Sequence, residues 1–401
     1  MKSIRKHLYY FIPWLIVFVI ITFYGCIDSS LHRMIENPCS IHRNRRSIVG
    51  VQQSLTTGRR NQACLILNES TLVNIGGHEV RTIEFQDLRT GMIKAVYNEH
   101  LDIHHHVALL HNGEIWLPCG LSSNSTDSET SLEHMLIVNI ETGDVRQGPK
   151  LRYPRSSCGA VIISQMIIDK ESIQSIDNDH YQQNDSNPSK WAEDVICILG
   201  GSTGQHDTGS FTSHVECYSE RGRGWIILPD LPVQLDHLVA HTYNRPFDGH
   251  VTARLIHTEW SEDQVLVVIG GRTEYDGDER REIFTMSLRA GYWTLVATMI
   301  EHRSAFASCM FDNRYIIVAG GVSYRYDELS APLVFSEIEV CDILTGKCNV
   351  SNARLQTGRF ETTGCSTSEL CYICGGTIHS TDNLDSCESF IKHDLLNIVN
   401  G

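Results

Sequence analysis

The stretch Asp194–Gly201, DVICILGG, is a short run of apolar, mostly β-branched residues that ends in two glycines. Four other runs end in the same way, and a further one, EIWLPCG, has Cys119 in place of the first glycine. Runs this short, rich in β-branched residues and stopped by glycine are typical of buried strands rather than helices. Six copies spaced by roughly 45 to 80 residues therefore predict a repeat architecture. The glycine pairs of the five intact copies are Gly76 and Gly77, Gly200 and Gly201, Gly270 and Gly271, Gly320 and Gly321, and Gly375 and Gly376.

This pattern resembles the kelch repeat, in which a double glycine follows the second strand of a four-stranded blade. The family also places paired aromatic residues on strands three and four, and the seven-residue interval recurs here. The resemblance covers residues 47–401 and implies an all-β fold, a six-bladed kelch-type β-propeller. The recurring pairs are Tyr218 and Trp225, Met286 and Trp293, Val138 and Val145, and Gln86 and Ile93, and a glutamate recurs two places earlier as Glu84, Glu216, Glu339 and Glu388.

Cysteines occupy the paired positions of the fifth repeat. Cys341 and Cys348 flank the turn in EIEVCDILTGKC, and opposed positions on a hairpin bring Cβ atoms close enough for a disulfide after small adjustment. Two small buried thiols are the alternative. Cys365 and Cys371, on either side of STSEL, are a second possible disulfide. Cys371 and Cys374 form a CxxC pair, but a zinc site would need a matching second half that the sequence does not offer.

The chain between the repeats indicates where loops and closure lie. The stretch RSIVGVQQSL, residues 46–55, is β-branched and suited to complete the last blade, whose own sequence is short of a fourth strand. Residues 165–193 are polar and free of glycine, which predicts a mobile loop between the first two strands of blade three. Residues 272–282, RTEYDGDERRE, predict another exposed loop.

The N-terminus predicts a membrane anchor. A basic tail, residues 1–7, precedes an uncharged apolar run at residues 8–27 that is long enough to cross a bilayer. The segment lacks a good cleavage site, so an uncleaved signal anchor is favoured over a cleaved signal peptide. Residues 28–46 form a basic stalk, and the propeller follows from residue 47. Because arginines lie on both sides of the span, charge counting does not decide its orientation.

The cysteine content favours an oxidising compartment. Fourteen cysteines and four Asn-x-Ser/Thr sequons predict a luminal or extracellular body, that is, a single-pass protein of the secretory pathway or cell surface. The cluster Arg43–Arg46, RNRR, resembles the recognition sequence of furin-like convertases, which implies cleavage after Arg46. A basic stalk resting on anionic headgroups is the alternative. The predicted glycosylation sites are Asn68, Asn124, Asn184 and Asn349.

Candidate chemistry is sparse. A formal charge of -15 argues against nucleic-acid binding. The histidines of DIHHHVALLH could bind a metal, but the expectation is the polar tip of a first strand in solvent. The acidic residues of YDGDER could hold a hard cation, but a charged loop is the expectation. No catalytic motif stands out, so no catalytic residue, metal or cofactor is predicted. The two candidate groups are His104, His105, His106 and His111, and Asp276, Asp278 and Glu279.

The sequence therefore predicts a membrane-tethered recognition module that binds a protein or glycan through loops on one propeller face. Two alternatives come from other classes. One is a cytosol-facing kelch adaptor of the ubiquitin-ligase type, although no BTB or F-box-like segment precedes the repeats. The other is a carbohydrate-active enzyme similar to galactose oxidase or to sialic acid mutarotases. Of the oxidase residues only Tyr243, in HTYN, offers a fragment.

Overall fold

The computed structural model describes residues 48–123, 129–174, 188–204, 210–246, 262–273, 278–324, 332–379 and 381–397. Ser47–Gly401 form one compact unit. The predicted anchor, the stalk with Arg46, the two sequons at Asn124 and Asn184, and Asp276 lie outside the described residues. Across the ranges given above, no helix is both long and apolar enough to cross a membrane.

The described strands form six four-stranded antiparallel sheets, which we number as blades 1 to 6. With strands numbered along the chain, blade 1 contains β3 (Ala63–Leu67), β4 (Thr71–Ile75), β5 (Thr82–Asp87) and β6 (Ile93–Tyr97). Blade 2 contains β8 (Leu109–His111), β9 (Glu114–Leu117), β12 (His134–Val138) and β13 (Val145–Lys150). Blade 3 contains β14 (Gly159–Asp169), β15 (Lys190–Leu199), β18 (Val215–Ser219) and β19 (Gly224–Leu228).

The second half repeats this order. Blade 4 contains β20 (Val239–Pro246), β21 (Glu262–Ile269), β22 (Glu282–Ser287) and β23 (Trp293–Thr298). Blade 5 contains β24 (Ala307–Phe311), β25 (Tyr315–Ala319), β28 (Glu337–Asp342) and β29 (Lys347–Arg354). Blade 6 contains β30 (Thr363–Ser366), β31 (Leu370–Cys374), β32 (Ser386–Ile391) and β2 (Val51–Ser54).

Several short elements lie outside the four-stranded blades. They are β7 (Ile103–His104) with β10 (Leu121–Ser123) and β11 (Glu129–Ser131), β16 (Ser202–Thr203) with β17 (Ser210–Phe211), β26 (Val322–Ser323) with β27 (Leu333–Val334), a 3-10 turn (Lys170–Ser172) and helix α1 (Lys392–Leu396). The helix has only five residues, so the described body is almost wholly β.

The blades close into a ring through the N-terminal segment. The first strands of neighbouring blades contact one another in sequence, from β3 through β8, β14, β20, β24 and β30 back to β3. The outer strand of blade 6 is β2, which pairs antiparallel with β32 from Val51 opposite Ser389 to Ser54 opposite Ser386. The segment 46–55 thus supplies the closing strand, as its sequence predicts. Just before it, β1 (Ile48–Val49) pairs parallel to β29 of blade 5.

Apolar packing lies between the blades. Each of six buried clusters contains residues of two neighbouring blades, so each blade packs against a neighbour on both of its faces. The smallest of these six joins blades 6 and 1, which we call the closing seam, and consists of Leu55, Cys64, Leu72, Tyr372, Cys374 and Cys387. The interface that the chain termini complete therefore has the least apolar packing of the six.

The seven-residue intervals mark opposed residues of strands three and four, as predicted. Tyr218 lies opposite Trp225, with ring centroids 5.5 Å apart. Cys341 lies opposite Cys348, and a disulfide joins them. The other three intervals are also register pairs, namely Met286 with Trp293, Val138 with Val145, and Gln86 with Ile93. The interval thus measures the length of a hairpin turn rather than a preference for aromatic residues.

The double glycines have positive φ in all five intact copies, as expected. In blade 5, a Cβ added to Gly320 would lie 2.5 Å from the carbonyl oxygen of Arg359 in blade 6. These turns therefore need glycine for two reasons, a left-handed backbone and close passage of the next blade.

The recurring glutamate has a buried arginine partner in four blades. In blade 3, Arg155 Nη2 donates to Glu216 Oε1 over 2.6 Å, and Arg155 Nη1 donates to the carbonyl of Gly200. The arginine thereby binds the glycine turn to strand three. The equivalent pairs are Arg59 with Glu84, Arg303 with Glu339, and Arg359 with Glu388.

Blades 2 and 4 replace this ion pair with apolar residues. In the segment before the first strand, Ile103 of blade 2 and Leu235 of blade 4 occupy the position of the buried arginine. On the third strand, Leu136 and Phe284 occupy the position of the glutamate. Strand register places them opposite Leu117 and Val268. Both members of the pair change together, so no charge is left buried without its partner.

Two sequence-based expectations about the blades are wrong. The predicted loop 165–193 begins and ends in strand, because Met166, Ile168 and Trp191 are buried in the cluster between blades 3 and 4. Cys365 and Cys371 do not pair: Cys371 lies opposite Ser366, so Cys365 points to the other side of the sheet. Cys371 is instead bonded to Cys309 of blade 5.

Candidate functional site

The loops that join consecutive blades meet at the propeller axis. Each places one residue in the left-handed conformation, with φ between 49° and 54°, just before the inner strand. We call these six residues the axial ring and the face on which they lie the ring face. The axial ring consists of Asn61, His105, Ser157, His237, Ala305 and Glu361.

Main-chain hydrogen bonds link the axial ring from blade to blade. The N–H of Asn61 donates to the carbonyl of Glu361, and the N–H of His105 donates to the carbonyl of Asn61, each over 2.9 Å. Ser157 and His237 continue the same pattern, also at 2.9 Å. These four bonds occupy the N–H groups of Asn61, His105, Ser157 and His237, so those positions offer mainly their side chains to a ligand.

An axial cavity of about 410 Å³ opens at the ring. It is lined by residues from the first strand of each blade, which we call the inner strand. This volume is within the range of small-molecule pockets. The ring supplies amide, imidazole, hydroxyl and carboxylate groups, whereas the strand residues that follow are small, among them Ala63, Ala108, Gly159 and Gly364. The site is therefore a narrow cavity with a polar mouth.

A chain of imidazoles crosses the mouth between two carboxylates. Glu129 Oε1 lies 3.3 Å from His104 Nε2, and His104 Nδ1 lies 2.6 Å from His105 Nδ1. The His105 imidazole meets that of His237 edge to face, with centroids 5.3 Å apart. His237 Nδ1 lies 3.0 Å from Asp236 Oδ2. Because His105 and His237 meet only through a ring contact, the mouth holds two adjacent imidazole–carboxylate groups.

Asp236 anchors one end of this chain. Arg272 donates to both of its carboxylate oxygens, from Nε over 2.9 Å and from Nη2 over 3.1 Å. Burial would raise the pKa of the Asp236 carboxyl, but the charges and hydrogen bonds of His237 and Arg272 outweigh burial and lower it. An ion pair between the buried Asp236 and Arg272 therefore lies behind His237.

Two further histidines of the cavity are neutral. Burial, with repulsion from His104, lowers the pKa of His106 to about 3. Burial alone lowers the pKa of His241 to about 4, and its Nε2 lies 3.0 Å from Ser308 Oγ. Both imidazoles can donate and accept hydrogen bonds without contributing charge at neutral pH.

The predicted histidine group is brought together only in part, because His104, His105 and His106 lie near the mouth and His111 does not. His104 and His106 are buried rather than at a solvent-exposed tip, because β7 folds beneath the ring face. His111 is buried at the far end of β8, where its Nε2 lies 2.9 Å from Glu220 Oε2. Glu279 of the predicted exposed loop is also buried, with the backbone N–H of Tyr324 donating to it. Among the described residues, no group of three or more His, Cys, Asp or Glu is arranged to hold a metal ion.

The residues expected of a copper-radical oxidase are not combined in the lining. The described part of the cavity wall contains four histidines and no tyrosine. Tyr243 instead packs in the cluster between blades 4 and 5.

The axial ring was not predicted from the sequence, although a signal for it exists. In four blades the ring residue follows two positions after the buried arginine, as in Arg59-Arg60-Asn61. In blades 2 and 4, Ile103 and Leu235 occupy the arginine position. The spacing, not the residue type, therefore marks the ring residue.

Ten cysteines of the described chain form five disulfides. Cys119–Cys158 joins blades 2 and 3, and Cys309–Cys371 joins blades 5 and 6. Three others link adjacent strands within a blade, namely Cys197–Cys217, Cys341–Cys348 and Cys374–Cys387. Of the predicted glycosylation sites, Asn68 is exposed in the β3–β4 turn, at the opposite face from the ring, and Asn349 is half-buried on β29.

Comparison with solved structures supports the fold. The structure titled "Structure of YjhT" matches with a TM-score of 0.61 and 11% identity, covering 84% of this chain and 95% of that one. The likeness shows a β-propeller type of fold. No protein-family model matches the sequence. No curated protein matches it either.

Proposed function

We propose that this chain is a membrane-tethered, kelch-type recognition protein whose six-bladed propeller binds a protein or glycan ligand at the ring face without catalysing a reaction. The N-terminal span would hold the propeller on the luminal or extracellular side of a secretory or cell-surface membrane. No nucleic acid, metal or cofactor takes part in this proposal.

The axial cavity carries the proposal. Its mouth offers different hydrogen-bonding groups within one small opening, and its volume of about 410 Å³ suits a terminal sugar or one polar side chain rather than a long segment. The exposed sequon Asn68 lies on the opposite face, so a glycan there would leave the mouth open.

The disulfides support the secretory placement. A cytosolic adaptor would be kept reduced, whereas five disulfides, two of them between blades, suit an oxidising compartment. This favours the luminal recognition protein over the ubiquitin-ligase type of adaptor.

Binding to arrayed oligosaccharides and arrayed secreted proteins tests the proposal. Detergent-solubilised full-length protein would be compared with the double variant His105→Ala/His237→Ala, which removes two polar groups from the mouth. A control, His393→Ala, makes the same change on α1, which follows the third strand of blade 6 and so lies on the opposite face. We expect the double variant to lose at least about tenfold in affinity and the control to keep it. Full binding by a folded double variant would contradict the proposal.

A carbohydrate-active enzyme remains the alternative with an observation in its favour. The imidazoles of His105 and His237, which line the mouth, could exchange protons with a bound sugar. Proton NMR of any sugar that binds distinguishes the two functions, because a recognition protein leaves the sugar spectrum unchanged with time.

Release of the propeller by cleavage after Arg46 is compatible with this function. A product starting at Ser47 would keep β2, and hence the closing strand of blade 6. Sequencing the N-terminus of secreted protein tests it: a start at Ser47 supports cleavage, and an intact membrane-bound chain in convertase-containing cells contradicts it.

A further inference from the structure

Two cysteines of the described chain are thiols although all the others there are in disulfides. These are Cys64 and Cys365. Cys64 lies on β3, the inner strand of blade 1, and Cys365 lies on β30, the inner strand of blade 6. The two strands contact one another, and Cys365 packs against the buried cluster that contains Cys64. The pair therefore bridges two blades without being covalently joined.

The position of the pair is unusual within the ring. Cys64 belongs to the apolar cluster of the closing seam, and Cys365 packs against that cluster. Both residues also line the axial cavity. A small molecule in the cavity can therefore reach a dithiol at the interface that has the least apolar packing.

The surroundings explain how the thiols can persist in an oxidising compartment. Burial, followed by the interaction with the neighbouring Cys64 thiol, raises the pKa of the Cys365 thiol well above its ordinary value. Thiol–disulfide exchange needs a thiolate, so oxidation is slow unless a partner disulfide comes close to the pair. The cavity provides that route.

We propose that Cys64 and Cys365 are a redox-active dithiol site that forms a further disulfide, between blades 1 and 6, by reaction with a low-molecular-weight disulfide in the axial cavity. One protein thiolate attacks the small disulfide, forms a mixed disulfide and releases one small thiol. The second protein thiolate then attacks the mixed disulfide, closes the Cys64–Cys365 bond and releases the second small thiol. The protein loses two electrons, the small disulfide gains them, and both thiol protons leave with the products.

The new bond would add a third inter-blade disulfide, at the interface with the smallest apolar cluster. Blades 2 and 3, and blades 5 and 6, are already joined by disulfides, whereas blades 6 and 1 are held by the small apolar cluster and by hydrogen bonds such as that from Gln62 Nε2 to the Cys374 carbonyl. Oxidation therefore stabilises the seam, and reduction loosens it. Neither outcome depends on the proposed ligand.

Peptide mapping tests the site directly. Full-length protein is treated with bis(2-hydroxyethyl) disulfide, quenched by alkylation under denaturing conditions and digested without reduction. We expect a linked peptide containing Cys64 and Cys365 to appear, and to disappear on treatment with 2-mercaptoethanol, while the other five disulfides persist. Two alkylated thiols after treatment, a mixed disulfide that never closes, or exchange into Cys309–Cys371 would each overturn the proposal.

Thermal unfolding gives a second readout. The oxidised protein should melt higher than the reduced protein by on the order of 5 °C, because the cross-link restricts the unfolded chain. The variants Cys64→Ser and Cys365→Ser should show no shift on the same treatment. A melting shift of equal size in both variants would overturn the stabilising role. The peptide map uses the unsubstituted protein and therefore does not depend on whether these variants fold.

Discussion

The buried ion pair of blade 5 offers a sharp test of how the repeats are held together. Arg303 and Glu339 are fully buried, with Nη2 and Oε1 2.6 Å apart. Arg303 Nη1 also donates to the carbonyls of Gly320 and Glu337. Replacing Arg303→Leu would leave a buried carboxylate without its cation and two carbonyls without a donor.

The size of the effect follows from this geometry. Removing one partner of a buried pair costs about 3–5 kcal/mol of unfolding free energy. The double variant Arg303→Leu/Glu339→Leu leaves no buried charge and imitates the apolar residues of blades 2 and 4. It should therefore recover at least about 1 kcal/mol relative to the single variant, although the N–H groups of Ile300 and Glu301 lose their acceptor.

A control exists in the same blade. Arg354 pairs with Glu337 at 3.6 Å, and the two side chains are 54% and 35% exposed. Replacing Arg354→Leu should cost less than about 1 kcal/mol. Urea unfolding followed by tryptophan fluorescence measures all three variants. Equal costs for Arg303→Leu and Arg354→Leu, or a double variant less stable than the single one, would refute this reasoning.

Three other predictions concern stability and processing. Stability should fall below about pH 6.5, because His106 and His241, with folded pKa values of about 3 and about 4, are neutral in the fold but protonated when unfolded. Each histidine should lower the unfolding free energy by about 2 kcal/mol at about pH 5. Urea titrations at about pH 7 and about pH 5 measure this loss, which His241→Asn should reduce. Gly320→Ala should lower the melting temperature, since its φ is +71° and the new Cβ meets a backbone oxygen; an unchanged melting curve would argue against the tight turn. Glycosidase treatment should increase gel mobility, with one step lost in Asn68→Gln, whereas no shift would place the propeller in the cytosol.

The repeat signals predicted much of the fold because they record local backbone requirements. The glycine pairs marked turns with positive φ, and the seven-residue intervals marked register pairs, even where neither residue is aromatic. The closing strand was predictable for the same reason: blade 6 lacked one strand, and the segment 46–55 could supply it.

The site was harder to predict because it is assembled from six distant loops. His105 and His237 meet across the axis although they are far apart in sequence, and no local pattern indicates their contact. Disulfides between blades were missed for the same reason, since Cys309 and Cys371 lie on different sheets. The error over Cys365 was a register error of one residue, which moves a side chain to the opposite face.

Photocrosslinking from the ring face tests the central proposal most directly. A photoreactive amino acid would replace Ala305 in the axial ring or, as the control, His393 on the opposite face, in full-length protein displayed on the cells that express it. Ligand engagement at the ring predicts crosslinked adducts from position 305 and none from position 393. Adducts from position 393 alone would contradict the proposal that the axial mouth is the recognition site.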